Sequence, residues 1–300
     1  MNIIILGAGA IGSLYGAKLS KLNDVILIGK KQHTDKINKD GLIIKGIENE
    51  KYKLKAETEI KKIKQNTLIL LTTKVYDSEN AIRKIEDMIK KDTVILCLQN
   101  GLYSEKIVKD IVKDKCTVLR GITNFGAVFL EPGVVQYNSY GYTAIETNKK
   151  ENKKGREIAE NFKKCGLNGY VSDNIKYDVW KKLILNCVLN PLTAIMKVEN
   201  KFISEENLNP IKEIIIQECL EAAKKDGVKF DIDFVKLIND VFRDSNNISS
   251  MRQDIIKGRK TEIDCLNGAV AELGKKHGIM CPFNEGLVMM IKCLEKTQNI

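Results

Sequence analysis

The sequence has few histidines, few arginines and no long apolar run. Only His33 and His277 are present, so an HExxH metal motif is excluded and proton chemistry has to rely on Lys, Glu or Asp. The longest apolar runs are strand-sized, NIIIL and TLILL, whereas a membrane span needs about 20 residues. Met1 leads directly into a strand, which predicts no targeting segment and a cytoplasmic, non-membrane protein.

The eight cysteines form no CxxC pair and no close cluster. Disulfide frameworks and zinc sites both need tighter grouping, so we interpret these cysteines as small buried apolar residues and expect no metal. The net charge is +10, but the lysines are interleaved with acids, as in EKIVKDIVKDK. That pattern is typical of a solvated helix face, so we expect no nucleic-acid partner and a modest preference for anionic small ligands.

The 300 residues divide into two regions of different pattern. The first alternates short β-rich runs with helical stretches, which predicts an α/β fold with a doubly wound parallel sheet covered by helices on both faces. The run FGAVFLEPGVVQYNSYGYTAIE predicts antiparallel strands added to that sheet. Strand signals vanish from about residue 174, so the sequence predicts a sheet domain over 1–172 and an all-helical domain over 173–300.

A glycine-rich loop lies between the first strand and the first helix. It reads Gly7-Ala8-Gly9-Ala10-Ile11-Gly12. Gly7 permits a tight turn, Gly9 lets a pyrophosphate approach the backbone, and Gly12 lets helix and strand pack closely. The helix N-terminus then offers N–H groups to phosphates. Because the loop follows a strand and opens a helix, we interpret it as a dinucleotide site rather than a structural turn.

The end of the second strand carries lysines where an acid would select NAD. An NAD site places Asp or Glu there to hold the ribose 2′-hydroxyl, whereas this chain has Lys30 and Lys31. Lysines attract a 2′-phosphate, so the sequence favours NADPH. The alternative is that both are ordinary solvated lysines, and the lack of an arginine weakens the case for NADPH.

Two further polar residues, Lys74 and Asn100, end apolar strand runs. Ligands of open α/β sheets bind beyond the carboxyl ends of the strands, so both are candidate cofactor residues. A solvated strand-end lysine and a tight Asn-Gly turn are the alternatives.

The segment WKKLILNCVLNPLTAI, residues 180–195, predicts a helix that is apolar nearly all round. Lys182, Asn186 and Asn190 lie one turn apart and form a polar stripe on it. Because buried amides and ammonium groups are costly without partners, we interpret the stripe as one wall of an active site.

A last group of polar residues follows in NISSMRQDIIKGRKTEIDCLNG. Glu262 shares a predicted helix stripe with apolar residues, which makes Lys182 its candidate partner. Ser249 and Ser250 either cap a helix or offer hydroxyls to a ligand. We expect Asp264 and Asn267 to be exposed.

These residues together resemble the ketopantoate reductase (2-dehydropantoate 2-reductase) family over essentially the whole chain. The matching pieces are GAGAIG, TTKVYD, LQNG, GITNFGA, WKKLILNCVLNPLTAI, and NISSM followed by TEIDCLNG. The resemblance implies a Rossmann domain, a helical domain and reduction of ketopantoate with NADPH in pantothenate synthesis. A homodimer is possible.

The resemblance also implies roles for individual residues. Lys182 would donate the proton. The cofactor would be held by Gly7 to Gly12, Lys74, Asn100, Ala127 and Glu262. The substrate would be held by Asn100, Lys182, Asn186, Asn190, Asn200, Asn247 and Ser250. Family members often have Arg where Lys30 stands, which bears on the strength of NADPH preference.

Two alternatives stay open. One is a reductase of another branched 2-keto acid, because no residue defines the shape of the pocket. The other is a non-catalytic NAD(P)H-binding sensor, against which the pair Lys182 and Glu262 argues, since a sensor needs no proton donor.

Overall fold

The computed structural model describes residues 1–147 and 152–297. The chain forms two compact units. The first, the sheet unit, comprises Met1–Gln99 and Tyr103–Ile175. The second, the helical unit, comprises Asn100–Leu102 and the chain from Lys176 onward. The division into a dinucleotide-binding domain over 1–172 and a helical substrate domain over 173–300 stays a prediction.

The sheet unit contains an eight-stranded sheet, which confirms the α/β prediction. Its strands are β1 (Asn2–Leu6), β2 (Asp24–Ile28), β5 (Lys55–Glu57), β6 (Thr67–Leu71), β7 (Val94–Cys97), β8 (Thr117–Thr123), β11 (Thr143–Ile145) and β12 (Gly169–Val171). Their order is β12-β11-β8-β7-β6-β1-β2-β5. All neighbours pair in parallel except β11 and β8. The carboxyl ends of β1, β2, β6 and β7 therefore share one edge.

Both faces of this sheet are buried, as predicted. In β1, Ile3 and Ile5 join one apolar core, whereas Ile4 and Leu6 join another. The flanking helices are α1 (Ala10–Leu19), α2 (Lys31–Asp40), α3 (Ser78–Arg83), α4 (Ser104–Val112) and α5 (Asn152–Lys164), with 3-10 turns at Val75–Asp77 and Glu86–Met88. Helices α1 and α5 pack on the first core, and α3 and α4 on the second. This burial explains why the central strands read as continuous apolar runs.

A second sheet corrects the prediction for the run after residue 124. It has the order β4-β3-β10-β9, formed by β3 (Leu42–Gly46), β4 (Glu50–Tyr52), β9 (Gly126–Glu131) and β10 (Val134–Ser139). The prediction that β9 and β10 join the main sheet was wrong, and only β11 joins it as an antiparallel strand. Strand β10 pairs instead with β3, far away in sequence, through registers such as Val135 with Ile44.

The helical unit contains α6 (Ile175–Met196), α7 (Asn209–Lys225), α8 (Phe234–Phe242), α9 (Ser250–Ile256), α10 (Asn267–Lys276) and α11 (Pro282–Thr297). Shorter 3-10 turns cover Asn200–Ser204, Glu206–Leu208 and Ile263–Cys265. Within the described ranges no strand follows β12, as predicted. Helix α6 is the centre of this unit, since Trp180, Ile184 and Val188 are completely buried. None of the helices in the described ranges has the length and apolarity that a membrane span requires.

Candidate active site

The glycine-rich loop has the geometry that a bound pyrophosphate needs. Gly7 has φ +116°, and a Cβ there would lie 2.5 Å from the Thr73 nitrogen. A Cβ on Gly12 would lie 2.2 Å from the Gly7 carbonyl oxygen, so both positions require glycine. A Cβ on Gly9, by contrast, would meet no described atom within 4 Å. Close packing at Gly7 and Gly12 with open space at Gly9 fits a dinucleotide that approaches the backbone at Gly9.

The start of α1 adds electrostatic attraction for phosphate. The helix begins at Ala10, and its first turn contains no acidic residue. The first N–H groups of a helix have no acceptor within the helix, and together they carry a partial positive charge. Ala10, Ile11 and Gly12 supply these groups directly after Gly9, so an anion bound there would be well stabilised.

The two lysines after β2 differ in their surroundings. Lys30 is exposed and precedes the first residue of α2. Its ammonium forms no ion pair with any residue in the described ranges. Lys31 is also exposed, but its Nζ lies 2.7 Å from Asp35 Oδ2 one helical turn away. Lys30 is therefore the better candidate for a 2′-phosphate.

Lys74 and Ala127 are the remaining candidate cofactor residues of the sheet unit. Lys74 is half-buried and follows β6, next to Thr73, whose backbone borders Gly7. Ala127 is half-buried in β9, opposite Tyr137 of β10, and packs against the apolar core. Lys74 therefore lies beside the glycine loop, whereas Ala127 belongs to the second sheet.

The buried His33 side chain forms hydrogen bonds with Gly133 and with Ser13 of α1, the helix that follows the glycine loop. The Gly133 N–H donates to its Nδ1 at 2.9 Å, so the proton of the neutral ring is on Nε2, which lies 3.0 Å from the Ser13 hydroxyl of α1. Burial lowers the pKa of His33 to about 4. The ring is therefore neutral at physiological pH.

In the helical unit a polar chain joins Lys182, Asn100 and Glu262. The Lys182 ammonium donates to Asn100 Oδ1 at 2.7 Å, and Asn100 Nδ2 donates to Glu262 Oε2 at 3.3 Å. The following Gly101 has φ +84°, and a Cβ there would lie 2.4 Å from the Cys265 carbonyl oxygen, which accounts for the Asn-Gly sequence. Asn100 therefore lies at a turn and also joins Lys182 to Glu262 through its side chain.

The expectation that Glu262 lies on an α-helix was wrong. Glu262 is 7% exposed and precedes the 3-10 turn Ile263–Cys265. The backbone of Leu266, at φ −106° and ψ −100°, is not helical, so α10 begins only at Asn267. The periodic apolar spacing therefore continued across a break in the helix.

The polar stripe of α6 contains two amides that form no side-chain hydrogen bond to the described part of the chain. Asn186 is half-buried and Asn190 is 3% exposed. No side-chain N or O atom of either residue is among the fully buried atoms that have no partner. Both amides can therefore exchange hydrogen bonds to water for hydrogen bonds to a ligand.

Three further candidate substrate residues lie close to each other. Asn200 is 7% exposed, and its buried Oδ1 has no hydrogen-bond partner among the described residues. Its backbone N–H donates to the Asn247 carbonyl at 2.8 Å. Ser249 caps α9 by accepting from the Arg252 N–H, and it also accepts from Thr193 of α6 at 2.8 Å. The neighbouring Ser250 is exposed, so of the two serines Ser249 is structural.

Asn267 is a residue that the sequence reading missed. We expected both Asp264 and Asn267 to be exposed, which was correct for Asp264 and wrong for Asn267, whose exposure is 0%. Its side chain donates to the Cys187 carbonyl of α6 at 2.9 Å. Pro191, four residues after Cys187, was a signal in the sequence. Proline has no N–H, so the Cys187 carbonyl needs a donor from outside the helix.

Within the described ranges no three His, Cys, Asp or Glu side chains form a group that could hold a metal. The sheet unit contains a glycine loop suited to a dinucleotide, and the helical unit contains lysine, asparagine and serine side chains suited to an oxo acid.

Known proteins of the same architecture match the whole chain. The family model described as ketopantoate reductase PanE/ApbA matches residues 3–150, and the model of its C-terminal part matches residues 174–295. A 2-dehydropantoate 2-reductase of Pyrococcus horikoshii is 39% identical over 299 residues, 98% of each chain.

Solved structures agree with this match. A D-mandelate dehydrogenase in a ternary complex with NADH and anilino(oxo)acetate has a TM-score of 0.93 at 30% identity and covers 100% of both chains. A ketopantoate reductase family member of Ralstonia eutropha JMP134 has a TM-score of 0.90 at 27% identity, with the same coverage. The chain therefore belongs to the ketopantoate reductase family of oxidoreductases.

Proposed function

We propose that the protein reduces 2-dehydropantoate (ketopantoate) to pantoate with NADPH, a step towards pantothenate and coenzyme A. The observation that carries this proposal is the α6 stripe, where an ammonium is followed by two amides whose side chains form no hydrogen bond within the described ranges. Such a set suits a substrate that has a carboxylate, a carbonyl and a hydroxyl group. The P. horikoshii relative is named 2-dehydropantoate 2-reductase.

The sheet unit would hold the cofactor. Gly7 to Gly12 and the start of α1 would bind the pyrophosphate, and Lys30 would attract the 2′-phosphate of NADPH. Lys74 and Ala127 of the same unit would also contact the cofactor, and the family resemblance assigns Asn100 and Glu262 of the helical unit to the cofactor as well. Bound NADPH would supply the hydride that reduces the carbonyl carbon of the substrate.

The helical unit would hold the substrate. Asn186 and Asn190 each offer two N–H donors and one acceptor, so they suit the carboxylate and the carbonyl. Asn200 Oδ1, which is buried without a partner among the described residues, suits the substrate hydroxyl as a donor. Ser250 and Asn247 would complete the site, and Asn100 would contact both ligands.

Lys182 would donate the proton. As the carbonyl oxygen becomes an alkoxide, a nearby ammonium stabilises the negative charge and then transfers a proton to it. The bond from Lys182 Nζ to Asn100 Oδ1 directs the amine, and Asn100 in turn donates to Glu262.

A second candidate function is the reduction of a different 2-keto acid. It is favoured by the D-mandelate dehydrogenase, an enzyme that acts on an aromatic 2-hydroxy acid and whose structure contains NADH. A third candidate function is the non-catalytic binding of NAD(P)H, which would not need Lys182 as a proton donor.

One assay separates these functions. Oxidation of NADPH and of NADH is followed at 340 nm with ketopantoate, with branched aliphatic 2-keto acids and with the aryl 2-keto acid that corresponds to mandelate. Ketopantoate should have the highest kcat/KM, with NADPH preferred. A higher kcat/KM for another acid would transfer the proposal to that acid, and cofactor binding without turnover of any acid would support the sensor.

A further inference from the structure

Helix α6 has a gap in its hydrogen bonding at the residues proposed to bind substrate. In an α-helix the N–H of each residue donates to the carbonyl four residues earlier. Pro191 lies inside α6 and has no N–H, so the Cys187 carbonyl has no donor within the helix. Asn186 directly precedes Cys187, and Asn190 directly precedes Pro191. The gap therefore spans the backbone that carries both amides.

Asn267 provides the missing donor. It is the first residue of α10 and is completely buried. Its Nδ2 donates to the Cys187 carbonyl at 2.9 Å and to Asn284 Oδ1 at 3.0 Å. A buried carbonyl without a donor is costly, so this side chain replaces the bond that Pro191 removes.

A buried carboxylate determines which way the Asn267 amide points. Glu218, 7% exposed, accepts from Asn284 Nδ2 at 2.7 Å and from the backbone N–H groups of Phe283 and Asn284 at 2.9 Å. A carboxylate only accepts, so Asn284 must direct its NH2 group towards Glu218 and its oxygen towards Asn267. Asn267 must then direct its own NH2 group towards both Asn284 and Cys187.

We propose that Asn267 is a positioning residue that acts through the backbone of α6. The side chains of Asn186 and Asn190 form no hydrogen bond to the described part of the chain, so the path of the α6 backbone sets where they point. Asn267 completes that backbone at the proline and thereby directs both amides towards the substrate. This inference rests on the proposed function for the identity of the substrate, and on contacts within the helical unit for the rest.

A double-mutant cycle tests the link to the proline. Asn267→Leu removes the donor at similar volume, Pro191→Ala restores the helical N–H, and the third variant combines them. Weakening the hydrogen bonds of two amides that hold the substrate acts on substrate binding, by up to about tenfold for each bond. We therefore expect Asn267→Leu to lower kcat/KM for the 2-keto acid by about 10- to 100-fold, mostly through KM. In the Pro191→Ala background the same change should cost less than about threefold.

Two further measurements separate positioning from general stability. The Kd for NADPH should be unchanged in all variants, because neither Asn267 nor Pro191 is among the residues proposed to hold the cofactor. Hydrogen exchange of peptides from 183–196 should become faster in Asn267→Leu and return towards the wild-type rate in the double variant.

Several results would overturn the proposal: a wild-type KM in Asn267→Leu, losses of equal size with and without Pro191, or failure of both Asn267→Leu variants to fold. The proposed function fails separately, when the wild-type enzyme does not turn over ketopantoate. In that case the double-mutant cycle is run with whichever 2-keto acid the enzyme reduces. If the enzyme reduces no 2-keto acid, the hydrogen-exchange measurement alone tests the role of Asn267.

Discussion

The two units differ in the chemistry of the candidate residues that each contains. In the sheet unit the backbone supplies it: Gly7 and Gly12 have no space for a Cβ, and the helix start supplies N–H groups. In the helical unit side chains supply it, with Lys182 bound to Asn100 and the Asn190 amide without a hydrogen-bond partner in the described part of the chain. Substitutions in the sheet unit should therefore act through steric clashes, and substitutions in the helical unit should act through the loss of hydrogen bonds.

The largest effect should come from the helical unit, at Lys182. A proton donor contributes about 10²–10⁴-fold to rate, so Lys182→Ala should lower kcat by that range while the Kd for NADPH stays unchanged. Lys182→Arg should not restore activity, because a guanidinium keeps its proton at working pH. Lys181 lies about 100° away around the same helix and serves as the matched control, whose Ala variant should keep its kcat. Near-normal turnover of Lys182→Ala would refute its role as proton donor.

Acidic pH should destabilise the sheet unit through His33. Burial lowers the pKa of His33 in the folded protein to about 4, below its ordinary value of 6.5. Between these values the unfolded chain binds a proton that the folded chain does not, so this contribution to stability is complete above pH 6.5 and is lost as pH falls towards 4. The loss amounts to about 3 kcal/mol over that interval.

Denaturant unfolding at pH 7 and pH 4.5 measures this loss. His33→Leu should show a smaller difference between the two pH values than the wild-type protein. The exposed His277 is the control, and His277→Gln should retain the full difference. An equal pH dependence in His33→Leu and wild type would contradict the prediction.

Alanine substitutions at two glycines of the glycine-rich loop test how much space a side chain has there. Gly12→Ala should lower the free energy of unfolding by about 1–3 kcal/mol, because its Cβ would lie 2.2 Å from the Gly7 oxygen. Gly9→Ala should leave Tm unchanged, since no described atom lies within 4 Å, but should raise the KM for NADPH. Loss of stability in Gly9→Ala would contradict the open space at this position. Normal NADPH binding in Gly9→Ala would show that Gly9 does not border the cofactor.

For the helical unit the matching test is Asn190→Ala. Its amide has no hydrogen-bond partner in the described chain, so its removal should leave the free energy of unfolding unchanged or slightly higher. The kcat/KM for ketopantoate should fall by about 1–3 kcal/mol, with NADPH binding intact. The prediction fails when the variant loses stability and keeps normal kinetics, because the amide would then be structural.

The smallest effect should be at the two lysines after β2. Exposed charge pairs contribute about 0.2–1 kcal/mol, so Lys30→Ala should raise the KM for NADPH by a few fold and leave the KM for NADH nearly unchanged. Lys31→Ala should have less effect, because Lys31 already pairs with Asp35. Equal KM values for NADPH and NADH in the wild-type enzyme would contradict a preference for NADPH.

The sequence predicted most where local pattern determines structure. The glycine loop, the strands β1, β2, β6 and β7 and the apolar helix α6 depend on neighbours in the chain, and all were identified. The second sheet was not, because the pairing of β10 with β3 joins segments about 90 residues apart and has no local signal.

The side chains that were misjudged depend on distant partners in the same way. Asn267 looked exposed because its neighbours are polar, whereas its burial depends on Cys187 and Asn284 in other helices. Glu262 looked helical because apolar spacing continues across Leu266, whose backbone breaks the helix. Hydrophobic periodicity does not report such contacts or a single non-helical residue.

The membership of Asn100–Leu102 in the helical unit limits how this protein can be recombined with its relatives. A chimera joined near residue 175 would take Lys182, Glu262 and Cys265 from one parent and Asn100 and Gly101 from the other. The acceptor for the Lys182 ammonium and the glycine that fits against Cys265 would then be inherited separately from the helices they contact. A chimera that keeps these contacts within one parent therefore requires three crossovers, one near residue 175 and two flanking this three-residue segment.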